Sequence, residues 1–436
     1  MSFVGTVRAI KVAPRVKRTA ALYRGVFGNS ERLKLQLDCF NQLWSKIRQD
    51  IPYYAQLAKE RSLPQAFKSW PEFIDKFPIT TKKIVQANTA LMSYDKPKPE
   101  FYRVSGGTTA QPVQLPAWRS ETRLTQMDTW VARSWYGINP DDKLFTIWSR
   151  SHTLGHGWHS QVNKIKRNTK DWLLGYCRVS AYDMTDANLK AAAKKLLRQK
   201  PGYIMGFSVA LDLFARANRD FVPRFRKLKV KAVIGCSEMF PHPDSKALLA
   251  DLFNCPVIME YGAGETNLMG HSHPNGGYLA FWRNYFLEAL EPREPDSRIV
   301  RVTSLYNRCF PLIRYEIGDE LELYPGDDGL GVARFKAVRG RCNLFALLSD
   351  GTKVHSEAFT HCVRHFTQIA SYQVVQAKGK VTIRIVANPG FNHEIEERIR
   401  GKLCQVHPEL AQAQFQIVDK LEQTAIGKTP ILIRQD

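Results

Sequence analysis

The sequence predicts an α/β protein in which a large N-terminal domain is followed by a small α+β domain. Two central segments, LKVKAVIGCSE and CPVIMEYGAGE, each run from an apolar strand into a glycine-containing loop, and PDSKALLADLF between them has the pattern of a helix. This order is typical of sheets with flanking helices, which bind ligands at the carboxyl ends of their strands. Around and after Tyr306, the short alternating segments RIVRVTSL, DELELY and VARFKAV predict a small β-rich layer.

The chain divides into three parts. Residues 1–35 form a basic arm, because they hold eight basic residues and a single acid. Residues 36–338 form the large domain. A turn-rich joint at 338–343 then leads into residues 339–436, in which the strands YQVVQA, KVTIRIVA and QFQIV alternate with the helix HEIEERIRGKLCQVH. These predict a compact α+β C-terminal domain.

Helical patterns are clearest in two parts of the large domain. Between Leu33 and Arg61, apolar residues recur near helical spacing, and Pro52 ends the first run. Further along, DANLKAAAKKLLRQK predicts a helix that stops before Pro201, with Asp186 as its candidate cap.

The composition excludes several classes of protein. Hydrophobic residues make up 44% and charged residues 24% of the chain, which rules out wholesale disorder. No apolar stretch reaches 18 residues, and the first residues lack the apolar core of a secretory signal. The 8 cysteines form no C-x-x-C pair, so we expect reduced thiols and a cytoplasmic protein.

The net positive charge is the most unusual feature of the composition. The 63 Lys and Arg residues against 41 Asp and Glu residues give a net charge of +22. Such a charge suits nucleic acid, anionic lipid, or an acidic small molecule or protein. Because the patterns of a zinc finger, an aromatic RNA-binding motif and a helix-turn-helix are missing, we expect no specific nucleic acid.

The segment VSGGTTAQP at 104–112 is the sharpest local feature. Two adjacent glycines let the backbone approach a ligand, and the amides and hydroxyls offer many donors to a polyphosphate. The segment lacks the Gly-Lys-Ser/Thr ending of a Walker loop. A plain hairpin turn has a similar composition, so the residues alone leave both interpretations open.

Five short motifs, in the right order over some 325 residues, resemble those of the adenylate-forming enzymes, which include acyl-CoA synthetases, peptide-synthetase adenylation domains and luciferases. They are the phosphate loop Ser105-Gly106-Gly107-Thr108-Thr109, the Tyr-Gly-x-x-Glu motif Tyr261-Gly262-Ala263-Gly264-Glu265, the ribose motif ending at Gly318-Asp319, the joint pair Gly340-Arg341 and the terminal pair Gly427-Lys428. Further segments, IPYY at 51–54, FPITTK at 77–82 and SDGTKV at 349–354, resemble the phenylacetate–CoA ligase group and its capsular-polysaccharide (CapK-like) branch. The resemblance runs from Leu33 to the C-terminus, so the basic arm lies outside it.

The resemblance implies a role for each motif. Ser105, Gly106, Gly107, Thr108 and Thr109 would bind the phosphates of ATP. Tyr261 and Gly262, with Ser237 and Glu238 of a second loop, would contact the adenine. Glu265 would hold Mg²⁺, Asp319 the ribose hydroxyls, and Arg341 would add a donor from the joint. Lys428 would bridge the carboxylate and the α-phosphate, and the resemblance implies that the C-terminal domain that carries it is mobile. For a lone acid or lysine, the alternative is a solvated surface group.

The resemblance also indicates an acyl pocket. Its candidate residues are His156, Trp158, Phe207 and Ser208, for which ordinary core packing is the alternative. The histidines at 152, 156 and 159 and the group His361, Cys362 and His365 have spacings that suit zinc. Because neither group contains a thiolate pair, we expect Mg²⁺ to be the protein's only metal.

The resemblance implies ATP-dependent activation of a small carboxylic acid as acyl-AMP, with release of pyrophosphate and transfer to a thiol, most simply coenzyme A. Stable adenylyl transfer, or acyl transfer to a carrier protein or a sugar amine, is the first alternative. A non-catalytic protein of the same fold that binds anionic partners is the second, since Ala110, Gly264 and Asn343 depart from the usual motifs. The basic arm further suggests an acidic carrier protein or the anionic inner face of a membrane as partner.

Overall fold

The computed structural model has the expected mixed α/β architecture. It describes residues 3–24, 28–104, 113–148, 158–181, 184–294, 297–339, 345–363, 366, 368–377, 379–422 and 430–435. The helices are α1 (Phe3–Arg24), α2 (Asn29–Asp50), α3 (Pro52–Glu60), α4 (Trp70–Lys76), α5 (Lys82–Asn88), α6 (Arg119–Ser134), α7 (Trp158–Leu174), α8 (Asp186–Gln199), α9 (Ser208–Ala217), α10 (Val222–Arg226), α11 (Ser245–Phe253), α12 (Ser356–Val363) and α13 (His393–Val406). None of these described helices combines the length and the apolar character needed to cross a membrane.

An eight-stranded sheet forms the centre of the large N-terminal part. A separate hairpin of β1 (Phe101–Val104) and β2 (Gln114–Ala117) precedes it in the chain. The strands of the large sheet are β3 (Leu144–Trp148), β4 (Tyr176–Ser180), β5 (Tyr203–Phe207), β6 (Val233–Cys236), β7 (Val257–Ala263), β8 (Asn267–Ser272), β9 (Tyr278–Ala280) and β14 (Arg334–Phe335). Their order is β14-β9-β8-β7-β6-β5-β3-β4, with β3 to β7 parallel and the remainder antiparallel.

Helices cover both faces of this sheet. Apolar residues of α8, α9 and α11 pack on one face, and Trp130 of α6 packs on the other with Val12 and Val16 of α1. The predicted strand–helix–strand unit is β6–α11–β7, which confirms that part of the expectation. The cap of α8 differs from the prediction, because the Thr185 hydroxyl accepts the Asn188 N–H at 3.2 Å and Asp186 is the first helical residue.

A second sheet corresponds to the predicted β-rich layer, except that the segment VARFKAV is divided between two sheets, since Arg334–Phe335 pairs with β9 of the large sheet. It contains β10 (Tyr285–Glu288), β11 (Pro292–Glu294), β12 (Ser297–Ser304), β13 (Tyr315–Glu322) and β15 (Ala337–Arg339), all antiparallel. Helices α2 to α4 pack against it through an aromatic core that includes Trp44, Phe73 and Phe77. Arg314 fixes this contact, since its guanidinium pairs with the buried Glu288 at 2.8 Å and also donates to carbonyls near the end of α4.

The C-terminal part has its own hydrophobic core, which extends from Ala346 to Leu432. Its strands are β16 (Phe345–Leu347), β17 (Lys353–His355), β18 (Ile369–Ala377), β19 (Lys380–Ala387), β20 (Gln414–Ile417) and β21 (Leu432–Gln435). The sheet order is β20-β19-β18-β21, and α12 and α13 contribute to the same core. The three predicted strands and the helix are present, and the α+β character is confirmed. The joint residues 340–344 lie outside the described residues, so the boundary at 339 stays a prediction.

The basic arm is a helix that packs on the body of the protein. Thr19 and Ala20 are buried, and the Tyr23 hydroxyl donates to Asp128 of α6 at 2.6 Å. The Tyr23 ring lies edge-on to Phe281 and Trp282. Deletion of residues 1–30, which would remove an extended arm cleanly, would therefore expose apolar surface of the large part.

Candidate nucleotide site

The site begins where the parallel strands β5, β6 and β7 end, because their carboxyl ends meet at one edge of the sheet. β6 is followed by Ser237, which has a positive φ of 70°, and this turn carries the chain to Glu238. The preceding Gly235 leaves no room for a side chain, since a Cβ there would lie 2.7 Å from Met259 Sδ and 2.9 Å from Ser208 Oγ. The loop is thus held close to its neighbours.

Glu238 is largely built into this framework. Its carboxylate accepts the Val209 N–H at 3.1 Å at the start of α9, and its carbonyl accepts the Ser208 hydroxyl at 2.8 Å. Its exposed fraction is 7%. These contacts fix the loop that the sequence assigns to the adenine, and that assignment stays a prediction.

Tyr261 and Asp319 come together across two sheets. Tyr261 lies in β7, Asp319 lies in β13, and the tyrosine hydroxyl donates to Asp319 Oδ2 at 3.3 Å. Burial raises the pKa of Tyr261 well above its usual value, and the charge of Asp319 raises it further. Tyr261 therefore stays a neutral donor, which orients one carboxylate oxygen of Asp319.

Glu265 lies in the turn that joins β7 to β8, and its side chain is buried. The Tyr315 hydroxyl donates to Glu265 Oε1 at 3.4 Å. Burial raises the pKa of Glu265; the positive charge of Lys82 lowers it and the negative charge of Asp319 raises it. Two carboxylates close enough to repel each other favour a bound cation. The hard oxygen donors at this place fit Mg²⁺.

A buried ion network supports the turn that carries Glu265. Arg308, with 1% of its surface exposed, donates to the Glu265 carbonyl, and its Nε lies 3.9 Å from Glu121 Oε2. The same carboxylate oxygen accepts from Arg103 Nη2 at 3.2 Å. Arg103 belongs to β1, immediately before the glycine-rich segment. Sequence reasoning missed this network, because residues so far apart in the chain carry no shared pattern.

The structure describes the side chains of two of the four candidate residues for the acyl pocket. Phe207 is buried and stacks on Trp148, with ring centroids 4.4 Å apart and an angle of 14°. The Ser208 side chain is fully buried against the Glu238 loop. Both make core contacts, and these contacts do not test a role in the acyl pocket, so that assignment stays a prediction. His156 and the Trp158 side chain lie outside the described residues, so their assignment stays a prediction.

Several predicted residues of the site also lie outside the part of the chain that the structure describes. They are the phosphate-loop residues 105–109, Arg341 and Lys428. The strands that flank the phosphate loop are described, and Val104 pairs with Gln114 in the β1–β2 hairpin. The roles of these residues therefore rest on the motifs.

The histidine clusters lead to a prediction about zinc. The residues at 152 and 156, the side chain of His159 and residue 365 are outside the described set. Among the described residues, one group has ligand atoms close enough for a metal, namely His393, Glu396 and Glu397 on α13, and it contains no cysteine. We expect elemental analysis of the purified protein to find no stoichiometric zinc. One zinc per chain would instead make His156 a ligand candidate.

The C-terminal residues 347–435 match the CapK C-terminal domain family. Protein CapK of Staphylococcus aureus is 21% identical over 422 residues, which cover 92% of this chain and 88% of that protein. This match includes far more than the C-terminal domain, and it agrees with the branch to which the motifs pointed.

Solved structures of 2-hydroxyisobutyryl-CoA ligase have the same fold. The form in complex with 2-HIB-AMP and CoA in the thioesterification state has a TM-score of 0.59 at 16% identity, covering 94% of this chain and 91% of that one. The postadenylation form in complex with R3-HIB-AMP has a TM-score of 0.57 at 15% identity, covering 94% and 90%. The chain therefore has the two-part fold of the adenylate-forming CoA ligases with a CapK-like C-terminal domain, and the resemblance drawn from the motifs is confirmed.

Proposed function

We propose that this protein activates a small carboxylic acid with ATP as an acyl-adenylate and transfers the acyl group to coenzyme A. The observation that carries the proposal is the meeting of Tyr261, Asp319, Glu265 and Tyr315 at the carboxyl end of β7. These residues come from two separate motifs, and each has the chemistry that its motif requires.

The described residues suit the binding of ATP. The carboxylate of Asp319 accepts hydrogen bonds from the ribose hydroxyls, and the Tyr261 hydroxyl orients that carboxylate by donating to it. The Ser237–Glu238 loop and the backbone at Gly262 border the adenine. Glu265, with Asp319 nearby, would hold Mg²⁺, which when bound neutralises charge on the phosphates.

The remaining residues act on the reacting groups. The acid's carboxylate attacks the α-phosphorus, the bond to the leaving pyrophosphate breaks, and the acyl-AMP anhydride forms. Lys428 stabilises the negative charge that builds up on the α-phosphate and carboxylate oxygens. Residues 105–109 hold the β- and γ-phosphates, and Arg341 adds a donor to the nucleotide from the joint.

The second half-reaction uses a different arrangement of the C-terminal domain, residues 339–436, which rotates about the joint. A thiolate attacks the acyl carbon, and AMP leaves with the electron pair of the broken C–O bond. We assign the reaction to the cytoplasm, where the thiols of this chain stay reduced.

ATP–pyrophosphate exchange with a panel of carboxylates tests the proposal. Exchange that depends on one class of acid supports acyl-adenylate formation, and its absence with every acid favours a non-catalytic protein of this fold. Mass spectrometry of the products then identifies the acceptor. An acyl-CoA supports the ligase, whereas stable AMP attachment, or an acylated carrier protein or sugar amine, would replace coenzyme A as the destination.

The substitution Glu265→Gln is expected to raise the Mg²⁺ concentration for half-maximal exchange by about tenfold or more, with a smaller effect on the ATP requirement. The amide keeps the size of the side chain and loses the charge that binds the cation. Titration of exchange activity with Mg²⁺ at saturating ATP measures this effect. Asp251→Asn is the control, because that carboxylate is exposed on α11 and pairs with the exposed Arg226. An unaltered titration would make Glu265 a structural residue.

A further inference from the structure

Helices α1, α6 and α7 pack together on one side of the large sheet, and they hold a large share of the protein's positive charge. α1 packs on both α6 and α7. The three helices contain thirteen Lys and Arg residues, of which six are in α1, three in α6 and four in α7. They contain only three carboxylates. Their net charge of +10 is therefore nearly half of the chain's +22.

All three carboxylates in these helices point inward. Glu121, Asp128 and Asp171 have exposed fractions of 1%, 1% and 8%. Glu121 pairs with Arg103, Asp128 accepts from Asn284 at 2.8 Å, and Asp171 pairs with Arg178 at 2.7 Å. Consequently, the outer side of the three described helices presents no carboxylate to solvent.

Large apolar side chains are also exposed on α1 and α7. Trp172 is 77% exposed and Ile165 is 66% exposed. These two residues are seven positions apart on α7, so they lie two turns apart on one face. Ile10 on α1 is 69% exposed, and Leu22 is 42% exposed. Exposure of a tryptophan and two isoleucines within one layer costs solvation free energy unless another surface covers them.

Exposed cations lie on the same two helices as these apolar side chains. Lys11, Arg15, Lys17 and Arg18 are exposed on α1, and Lys166 and Lys170 are exposed on α7. We call the exposed cations and apolar residues of these two helices the α1–α7 surface. Its combination of exposed apolar side chains and cations is typical of helices that lie in the interfacial region of a bilayer.

We propose that the α1–α7 surface binds the anionic face of a lipid bilayer. The cations lie at the level of the phosphate headgroups, and Trp172, Ile165 and Ile10 enter the boundary between headgroups and acyl chains. An acidic carrier protein would match the cations, but it would not by itself account for the exposed apolar side chains. The inference does not depend on the proposed function, since none of these residues belongs to the nucleotide site.

Flotation of the full-length protein with vesicles tests the inference. We expect binding to vesicles of one part phosphatidylglycerol to two parts phosphatidylcholine, and little binding to phosphatidylcholine alone. Binding should fall steeply between about 50 and 300 mM salt, because the Debye length shrinks from roughly 14 to 6 Å. Pyrophosphate exchange is measured on the same samples, so failure of the surface and failure of the enzyme are separate results.

Two double variants separate the charged and apolar contributions. Lys17→Glu with Arg18→Glu should weaken vesicle binding about 25-fold or more, since each cation near an anionic surface contributes about fivefold to the binding constant. Ile165→Ala with Trp172→Ala should weaken it about tenfold or more through lost apolar contact. The matched controls are Lys46→Glu with Lys59→Glu on α2 and α3, and Ile417→Ala on β20, which alter equally exposed side chains elsewhere.

Each outcome of these flotation experiments either supports or contradicts binding to a bilayer. Loss of binding in both test variants, with binding kept in the controls, supports the bilayer. Equal binding by test and control variants, or no binding of the wild-type protein to anionic vesicles at low salt, overturns the inference. Capture of an acidic carrier protein that depends on Lys17 and Arg18 but not on Trp172, without vesicle binding, would assign the surface to a protein partner.

Discussion

The substitution Lys428→Ala is expected to slow acyl-adenylate formation about 100- to 1000-fold, the effect of removing one preorganised charge from a reacting centre. The attacking carboxylate and the α-phosphate are both anions, and Lys428 is the residue that the motif places between them. Burst-phase or pyrophosphate-exchange kinetics measure the effect. Lys420→Ala is the matched control, because it removes an exposed lysine eight positions earlier in the same segment.

The same variant should leave the second half-reaction nearly intact. When acyl-adenylate is supplied with coenzyme A, we expect thioester formation to use the other arrangement of the C-terminal domain, in which Lys428 would not be needed at the acyl group. A split between slow adenylation and normal thioester formation is a result that mere loss of folding would not produce. Normal adenylation in the variant would remove Lys428 from the catalytic site.

The sequence predicted those parts of the fold that depend on local patterns. The unit β6–α11–β7 and strands β18 and β19 were recognisable because apolar periodicity is a property of neighbouring residues. Strand β21 was not predicted. Its pairing with β18 joins Leu432 to Val374, and neither segment carries a pattern that indicates the other. The basic arm was expected to lie on the body or on a membrane, but its helix and contacting face were not predicted, because a basic composition hides the narrow face that carries Val12, Val16 and Ala20.

In the candidate site, too, local motifs predicted the residues but not the contacts between them. The motifs identified Tyr261, Glu265 and Asp319, and the structure brings all three together. They did not reveal that Tyr315 donates to Glu265 or that Tyr261 donates to Asp319. Such contacts depend on how the second sheet lies against β7, and this is set by packing between elements that are distant in the chain.

Arg308, Glu121 and Arg103 extend this point to the support of the site. Arg103 leads into the phosphate loop, Arg308 holds the carbonyl of Glu265, and Glu121 is the carboxylate between them. The network thus ties the segment that is expected to bind phosphate to the residue that is expected to bind Mg²⁺. It therefore fixes the position of Arg103 relative to the turn that carries Glu265.

The substitution Glu121→Ala is expected to lower the free energy of unfolding by about 3–5 kcal/mol, because it leaves two buried guanidinium groups without their carboxylate. It also removes the acceptor of the Trp118 and Cys309 N–H groups, at 2.9 and 3.0 Å. Urea denaturation measures the change. Asp251→Ala is the control, since its pair with Arg226 is solvent-exposed and its loss should cost less than about 1 kcal/mol.

A second variant separates charge from packing at the same position. Glu121→Gln keeps the volume and one acceptor oxygen, so the N–H groups stay partly satisfied while the charge is lost. We expect a smaller loss of stability than for Glu121→Ala. We also expect reduced pyrophosphate exchange in the folded protein, because Arg103 and Arg308 no longer share a negatively charged partner. Wild-type stability and exchange in both variants would contradict a supporting role. Wild-type exchange in a destabilised Glu121→Gln would confine the network to the fold, since the phosphate loop and Glu265 would then keep their positions without it.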